Sequence, residues 1–278
     1  MKKKNKNNFI NILLVIVLLI GLSLLLYPTV SDYWNSFHQT QAITNYSEKV
    51  VAMDPEERER IWNSAINYNQ LLAGTEEPFY RTEEQLKEYE KQLDASGLGI
   101  MGYIEIPEID CTLPIYHGIE DSVLQIAVGH LEWSSLPVGG ESSHCVLSGH
   151  RGLPSAKLFT NLDQLVEGDR FMLHILEKTL TYEVDQIRIV EPQEVDDLKI
   201  EEGKDYCTLV TCTPYGINSH RLLVRGHRVE NAKESNVYVT ADALQIDPLI
   251  VAPVLAVPIL LICFVMILIP KQSKKKEE

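Results

Sequence analysis

Two uncharged apolar stretches near the ends of the chain limit what the rest of it can become. Phe9 to Tyr27 has only Asn11 and Ser23 as clearly polar members, and Leu249 to Ile269 has no charge at all. At about 1.5 Å of rise per residue, helices of that length reach across a hydrocarbon layer of roughly 30 Å. The first run is longer than the usual apolar stretch of about 7–15 residues in a cleaved signal, and no small-residue cleavage pattern follows Tyr27, so it reads as an uncleaved anchor. The second carries Pro253 and Pro258, which kink a span without forbidding it. Lysines crowd the outer ends, at 2, 3, 4 and 6 and again at 271, 274, 275 and 276. The positive-inside tendency then places the tails 1–8 and 270–278 in the cytoplasm and the body outside.

That body is acidic. The chain carries a net charge of −14, and the basic tails hide a stronger imbalance: no Lys or Arg occurs between Lys91 and Arg151. Such a surface offers no continuous basic footprint for phosphate backbones, which excludes nucleic acid as a partner. An apolar content of 45% excludes an acidic disordered chain. Glutamates dispersed along helices are solvated faces, so no metal site is expected and no cofactor is implied. Of five cysteines, Cys263 lies in the second apolar stretch, and the other four show no C-x-x-C spacing. A Cys145–Cys207 bridge is conceivable, but buried free thiols are the expected state.

Outside the membrane the chain reads as a helical region, 31–98, followed by a strand-rich domain, 99–232, and a linker, 233–248. Asp54-Pro55-Glu56-Glu57 is a helix start, and Ile61, Ala65, Ile66, Tyr68, Leu71 and Leu72 continue an apolar stripe up to Gly74. Thr82 to Gln85 resembles a capping box, followed by Leu86, Tyr89 and Leu93. The stretch 74–80 between these helices contains Glu77-Pro78-Phe79 and reads by default as a surface connector. From Ile100 the period changes to two. Strands fit 102–107, 113–116, 144–147, 170–176, 179–190, 206–211 and 221–229, and Lys157 to Leu165 reads as a short helix. Seven or more short strands predict a mainly β domain, a closed or nearly closed barrel.

Three residues stand out by setting. His150 follows an apolar strand in Val146-Leu147-Ser148-Gly149-His150, Cys212 ends another in Thr208-Leu209-Val210-Thr211-Cys212, and Arg221 opens the next. A thiolate is the reactive form of Cys, and an imidazole or guanidinium nearby activates it. An Arg fork can hold a carbonyl or a developing oxyanion. Each residue taken singly also fits a structural role, as a buried thiol or a satisfied imidazole. Together they suggest acyl transfer.

Thr208-Leu209-Val210-Thr211-Cys212, Arg221 nine residues onward and Ser148-Gly149-His150 upstream resemble the sortase signature. The runs from His150 to Phe159 and from Cys212 to Arg221 are most similar to class C, the pilin-polymerising sortases. The resemblance covers Gly99 to Val229. It implies an eight-stranded sortase barrel with N-terminal helices and a lid, flanked by two transmembrane helices, on the outer face of a Gram-positive membrane. It further implies that Cys212 attacks the Thr–Gly bond of an LPxTG-like sorting signal to give a thioester, which a Lys amine of another pilin subunit resolves. His150 would be the general acid/base and Arg221 the oxyanion or carbonyl ligand. The lid would be Glu77, Pro78 and Phe79, with Glu where family lids often carry Asp. The rivals are a housekeeping sortase anchoring proteins to peptidoglycan, a tethered cysteine hydrolase and a non-catalytic scaffold. No LPxTG-like motif precedes Leu249, which argues against the chain being a sortase substrate.

Overall fold

The computed structural model describes residues 3–74 and 81–231. The expected second span, the linker before it and Glu77-Pro78-Phe79 all lie outside the described residues. The chain divides into two compact units, and the larger, Tyr33–Ser235, holds the barrel.

The first element differs from expectation in length. α1 runs from Lys3 to Ala52 with Pro28 inside it, so the segment after the apolar stretch is helical too. Among the described residues it is the one helix long and apolar enough to cross a membrane. Its C-terminal part turns Asn35, Gln39, Ala42, Tyr46, Lys49 and Val50 toward the barrel unit. Asn35 Nδ2 donates to the Ser155 carbonyl and Gln39 Nε2 to that of Ile126. Tyr46 is the pin: its hydroxyl donates to the Met101 carbonyl at 2.9 Å and accepts from the Leu176 N–H at 2.8 Å, in a site with 1% exposure.

α2, Pro55–Ala73, and α3, Glu83–Glu90, form where the caps predict them. Asp54 accepts from the Glu56 N–H, and Thr82 and Gln85 close a reciprocal capping box. Ala65, Leu72, Tyr89 and Leu93 are buried as the stripe requires. Leu71 is not: it is 79% exposed, and Asn69 takes the buried place by bonding both the N–H and the carbonyl of Leu136.

The barrel has eight strands: β1 Ile100–Ile106, β2 Cys111–His117, β3 Val128–His130, β4 Ser143–Ser148, β5 Arg170–Ile175, β6 Lys178–Val190, β7 Asp205–Thr213 and β8 His220–Val229. They close in the order β1-β2-β3-β4-β7-β8-β6-β5. β2–β3 and β4–β7 are parallel, and the other pairs antiparallel. Gly102 is required where β1 crosses β5, because a Cβ there would stand 2.3 Å from the His174 carbonyl oxygen. Alternate residues fill the interior, with Ile104, Leu147, Phe171, Leu173, Leu209 and Val224 fully buried.

Lys157 to Leu165 is not the helix its spacing suggests. Leu158 has φ +41°, a left-handed conformation that no α-helix contains, and only a short 3₁₀ turn at Leu162–Gln164 remains. Leu158, Phe159, Leu162 and Leu165 are nevertheless all buried.

Candidate active site

β4, β7 and β8 are neighbours, and their register brings the three sequence candidates into one row. β4 and β7 run parallel with Ser148 opposite Val210. β7 and β8 run antiparallel with Cys212 opposite Arg221. The β4–β7 pairing continues one step beyond the strand: the Gly149 N–H donates to the Val210 carbonyl at 3.1 Å, and the Thr211 hydroxyl donates to the Gly149 carbonyl at 2.8 Å. His150 and Cys212 are each the next residue after that clamp. Adjacent strands lie about 4.8 Å apart, so the row from His150 through Cys212 to Arg221 spans roughly 10 Å of backbone.

Alternation decides the face. Val210, Leu223, Val190 and Val146 point away from the barrel interior into a second apolar cluster covered by Leu131, Trp133 and Leu198. Cys212 lies two residues beyond Val210, and Arg221 two before Leu223, so both belong to that outer face, at its rim. The candidate site therefore sits at the end of an apolar floor outside the barrel.

The thiols sort by environment. All four described cysteines are free, and Cys212 alone is not buried. Cys145 and Cys207 are direct register partners, but no bridge joins them. Burial pushes the Cys207 thiol well up and the Cys111 thiol to about 12, which leaves both protonated and inert. At Cys145 burial is outweighed by hydrogen bonds from Cys207 and His130, which lower the thiol, but its 2% exposure keeps it out of reach of a substrate. Among the described cysteines, access and position single out Cys212.

His150 and Arg221 are each tied to neighbouring main chain. The His150 carbonyl accepts from the Phe159 N–H at 3.1 Å. Gly149 must lack a side chain, since a Cβ there would meet the Phe159 ring at 2.7 Å. The Arg221 guanidinium donates to the carbonyls of Asn218 and His220, folding back on the turn between β7 and β8. His220 pairs across the strands with Thr213, and its ring meets the Ser219 hydroxyl at 2.8 Å.

The sequence reading did not assign Gly149, Thr211, Arg151 or Thr213. Arg151 pairs with Asp163, donates to the Thr213 hydroxyl at 3.4 Å and stacks 6.0 Å from the centre of the Tyr215 ring. Their one signal in the sequence is adjacency: each lies within one residue of His150 or Cys212. The expected lid residues, Glu77, Pro78 and Phe79, are outside the described residues, but both ends of their loop are defined. Gly74 ends α2, and Arg81 donates to the carbonyl of Trp133, a residue that covers the apolar floor. Among the described residues no His, Cys, Asp and Glu cluster could hold a metal ion.

A sortase domain model matches residues 104–229. The structure of sortase C1 from Streptococcus agalactiae is 52% identical, with a TM-score of 0.68 over 69% of this chain and 100% of that one. The chain belongs to the sortase family. Sortases are cysteine transpeptidases, and this sortase has further class C structural neighbours. Sortase C of Streptococcus pneumoniae is 45% identical, with a TM-score of 0.61 over 69% of this chain and 98% of its own. Sortase D of Bacillus subtilis (strain 168) is 32% identical over 131 residues, and the match spans 63% of that relative's length.

Proposed function

We propose that this sortase polymerises pilins: it cleaves an LPxTG-like sorting signal between Thr and Gly and transfers the acyl group to a Lys amine of another subunit. The observation that carries the reading is the 52% identity to sortase C1 over the whole of that chain, together with the row of His150, Cys212 and Arg221 on adjacent strands. The solved structure of the pneumococcal sortase C is described as informing pilin substrate specificity, which favours the pilin reading over peptidoglycan anchoring.

In the proposed reaction the Cys212 sulfur attacks the Thr carbonyl carbon. The C–N bond to Gly breaks, and His150 gives its proton to the departing Gly amine. The product is a thioester between Cys212 and the Thr carbonyl. A Lys amine then attacks that carbonyl, His150 takes the amine proton, and the thiolate leaves as the isopeptide bond forms. Arg221 holds the carbonyl oxygen while it carries negative charge in each tetrahedral intermediate. Removing one donor of this kind typically costs about 10²–10³ in turnover.

Glu77, Pro78 and Phe79 act in this reading as a plug, with the Glu77 carboxylate against Arg221 and the Phe79 ring against Cys212. The loop's return at Arg81, which donates to the Trp133 carbonyl, supports that placement. The apolar stretches Phe9–Tyr27 and Leu249–Ile269 are proposed as anchors in a Gram-positive cell membrane, with the barrel outside and both termini inside.

The test is product analysis with a peptide carrying Leu-Pro-x-Thr-Gly and a Lys-bearing pilin domain. A branched isopeptide product supports polymerisation. Transfer only to peptidoglycan-type amines, or release of the free acid alone, replaces it with the anchoring or the hydrolytic reading.

A further inference from the structure

We infer that Arg151 is a positioning residue that fixes the approach of His150 to Cys212, an inference that rests on the roles proposed above for those two side chains. The main-chain ladder between β4 and β7 ends too early to do this. Its last bonds are Gly149 N–H to the Val210 carbonyl and Thr211 hydroxyl to the Gly149 carbonyl, and His150 and Cys212 both lie past them. Something else must join the two chains beyond that point.

Arg151 makes that join. It follows His150 directly, and its Nη1 donates at 3.4 Å to the hydroxyl of Thr213, the residue that follows Cys212. Its Nη2 pairs with Asp163 in the 3₁₀ turn after Phe159, and the Phe159 N–H holds the His150 carbonyl. Its guanidinium carbon stands 6.0 Å from the Tyr215 ring centre, and Gly152 abuts the same ring, where a Cβ would meet it at 2.9 Å. One planar group thus links the His150 turn, the segment just past Cys212 and the segment that anchors His150 from behind.

The chemistry asks for arginine. Donors to Asp163 and to Thr213 must diverge from one rigid fork while its face stays against an aromatic ring, and an ammonium cannot do both. The side chain is 10% exposed, so its position is set by these partners rather than by solvent. Arg151 lies outside the apolar core, so its removal need not unfold the barrel. A displacement of about 1 Å between reacting groups costs on the order of 10²-fold, which sets the scale of the effect.

The test uses the full chain in detergent micelles, with a fluorogenic Leu-Pro-x-Thr-Gly peptide. Arg151→Ala is expected to lower kcat by about 10- to 100-fold with KM within about twofold, a split that marks lost alignment rather than lost binding. Millimolar guanidinium should restore part of kcat in Arg151→Ala, while sodium chloride at equal ionic strength should not. Arg151→Lys should recover little, because it keeps the charge toward Asp163 and loses the fork. Thr213→Val removes the hydroxyl at nearly constant shape, and carries the test even if Arg151→Ala fails to fold; it should lower kcat severalfold. Unchanged kcat in Thr213→Val, no response to guanidinium, or a kcat loss that only tracks the unfolded fraction overturns the inference. His150→Ala and Cys212→Ala run alongside. Activity surviving in those two overturns the underlying reading, whereas their inactivity with a normal Thr213→Val overturns the role of Arg151 alone.

Discussion

Gly149→Ala probes the site through packing, and its cost can be worked from the structure. The backbone at Gly149 does not require glycine, but the added methyl would stand 2.7, 2.9 and 3.2 Å from three atoms of the Phe159 ring. Ordinary carbon contacts are about 3.5–4.0 Å, so ring and backbone must separate by roughly 1 Å. Phe159 is fully buried and lies among Leu158, Leu162 and Leu165, so the ring cannot yield freely. Overpacking of this kind costs about 1–3 kcal/mol. In a unit of this size that corresponds to a fall of roughly 2–12 °C in Tm. The next residue is His150, and its carbonyl is held by the Phe159 N–H, so the same displacement reaches the proposed base. A shift near 1 Å predicts about a hundredfold loss of kcat at temperatures where the variant is fully folded. The assay is peptide cleavage at 20 °C with the folded fraction read by near-ultraviolet circular dichroism. Gly149→Ala/Phe159→Leu, which thins the ring side of the contact, should recover part of both losses. A Gly149→Ala enzyme with kcat within twofold of the parent refutes the packing argument.

Three other outcomes follow from particular residues. His144 is 1% exposed; its Nδ1–H donates to the Lys199 carbonyl, so its Nε2 accepts from the Thr208 hydroxyl, and burial holds it neutral down to about 4. The unfolded chain protonates it near 6.5 and the folded chain only near 4, so stability should fall by about 1.4 kcal/mol per pH unit across that window, up to about 3 kcal/mol. Urea midpoints at pH 7.0 and 4.5 should lie closer together in His144→Gln than in the parent, and equal pH slopes would discount the residue. Arg221→Lys keeps the charge without the fork and should lower turnover by about 10²–10³, so near-normal acylation would move the oxyanion role elsewhere. Glu77→Ala/Phe79→Ala should speed iodoacetamide labelling of Cys212 by about tenfold for each 1.4 kcal/mol of plug bias removed, and equal rates would make 74–80 a plain connector.

The strands that define the site were legible because their apolar runs are long and bounded. Val146-Leu147, Leu209-Val210 and Leu222-Leu223-Val224 mark β4, β7 and β8, and the candidates sit at their ends. β3 escaped notice because Val128-Gly129-His130 is three residues with a glycine at its centre, held only by its neighbours. The long reach of α1 was hidden differently. Asn35, Gln39 and Lys49 face the barrel through hydrogen bonds to backbone carbonyls, so the helical spacing exists without an apolar period. Around Leu158 the reverse holds: burial follows a helical spacing while the chain turns left-handed. At the site, the identities of Cys212, His150 and Arg221 were readable. The contacts that place them were not, because Gly149 against Phe159 and Arg151 against Thr213 depend on the crossing of segments far apart in sequence.

The central claim is that Cys212 is the nucleophile of an acyl-transfer reaction, and intact-mass spectrometry of the enzyme after brief incubation with a Leu-Pro-x-Thr-Gly peptide tests it most directly. The account predicts one added mass equal to the peptide fragment ending in Thr, removable by hydroxylamine as a thioester is, present in Cys111→Ala and absent in Cys212→Ala. The same adduct on Cys212→Ala, or no adduct on the parent while cleavage proceeds, would contradict it.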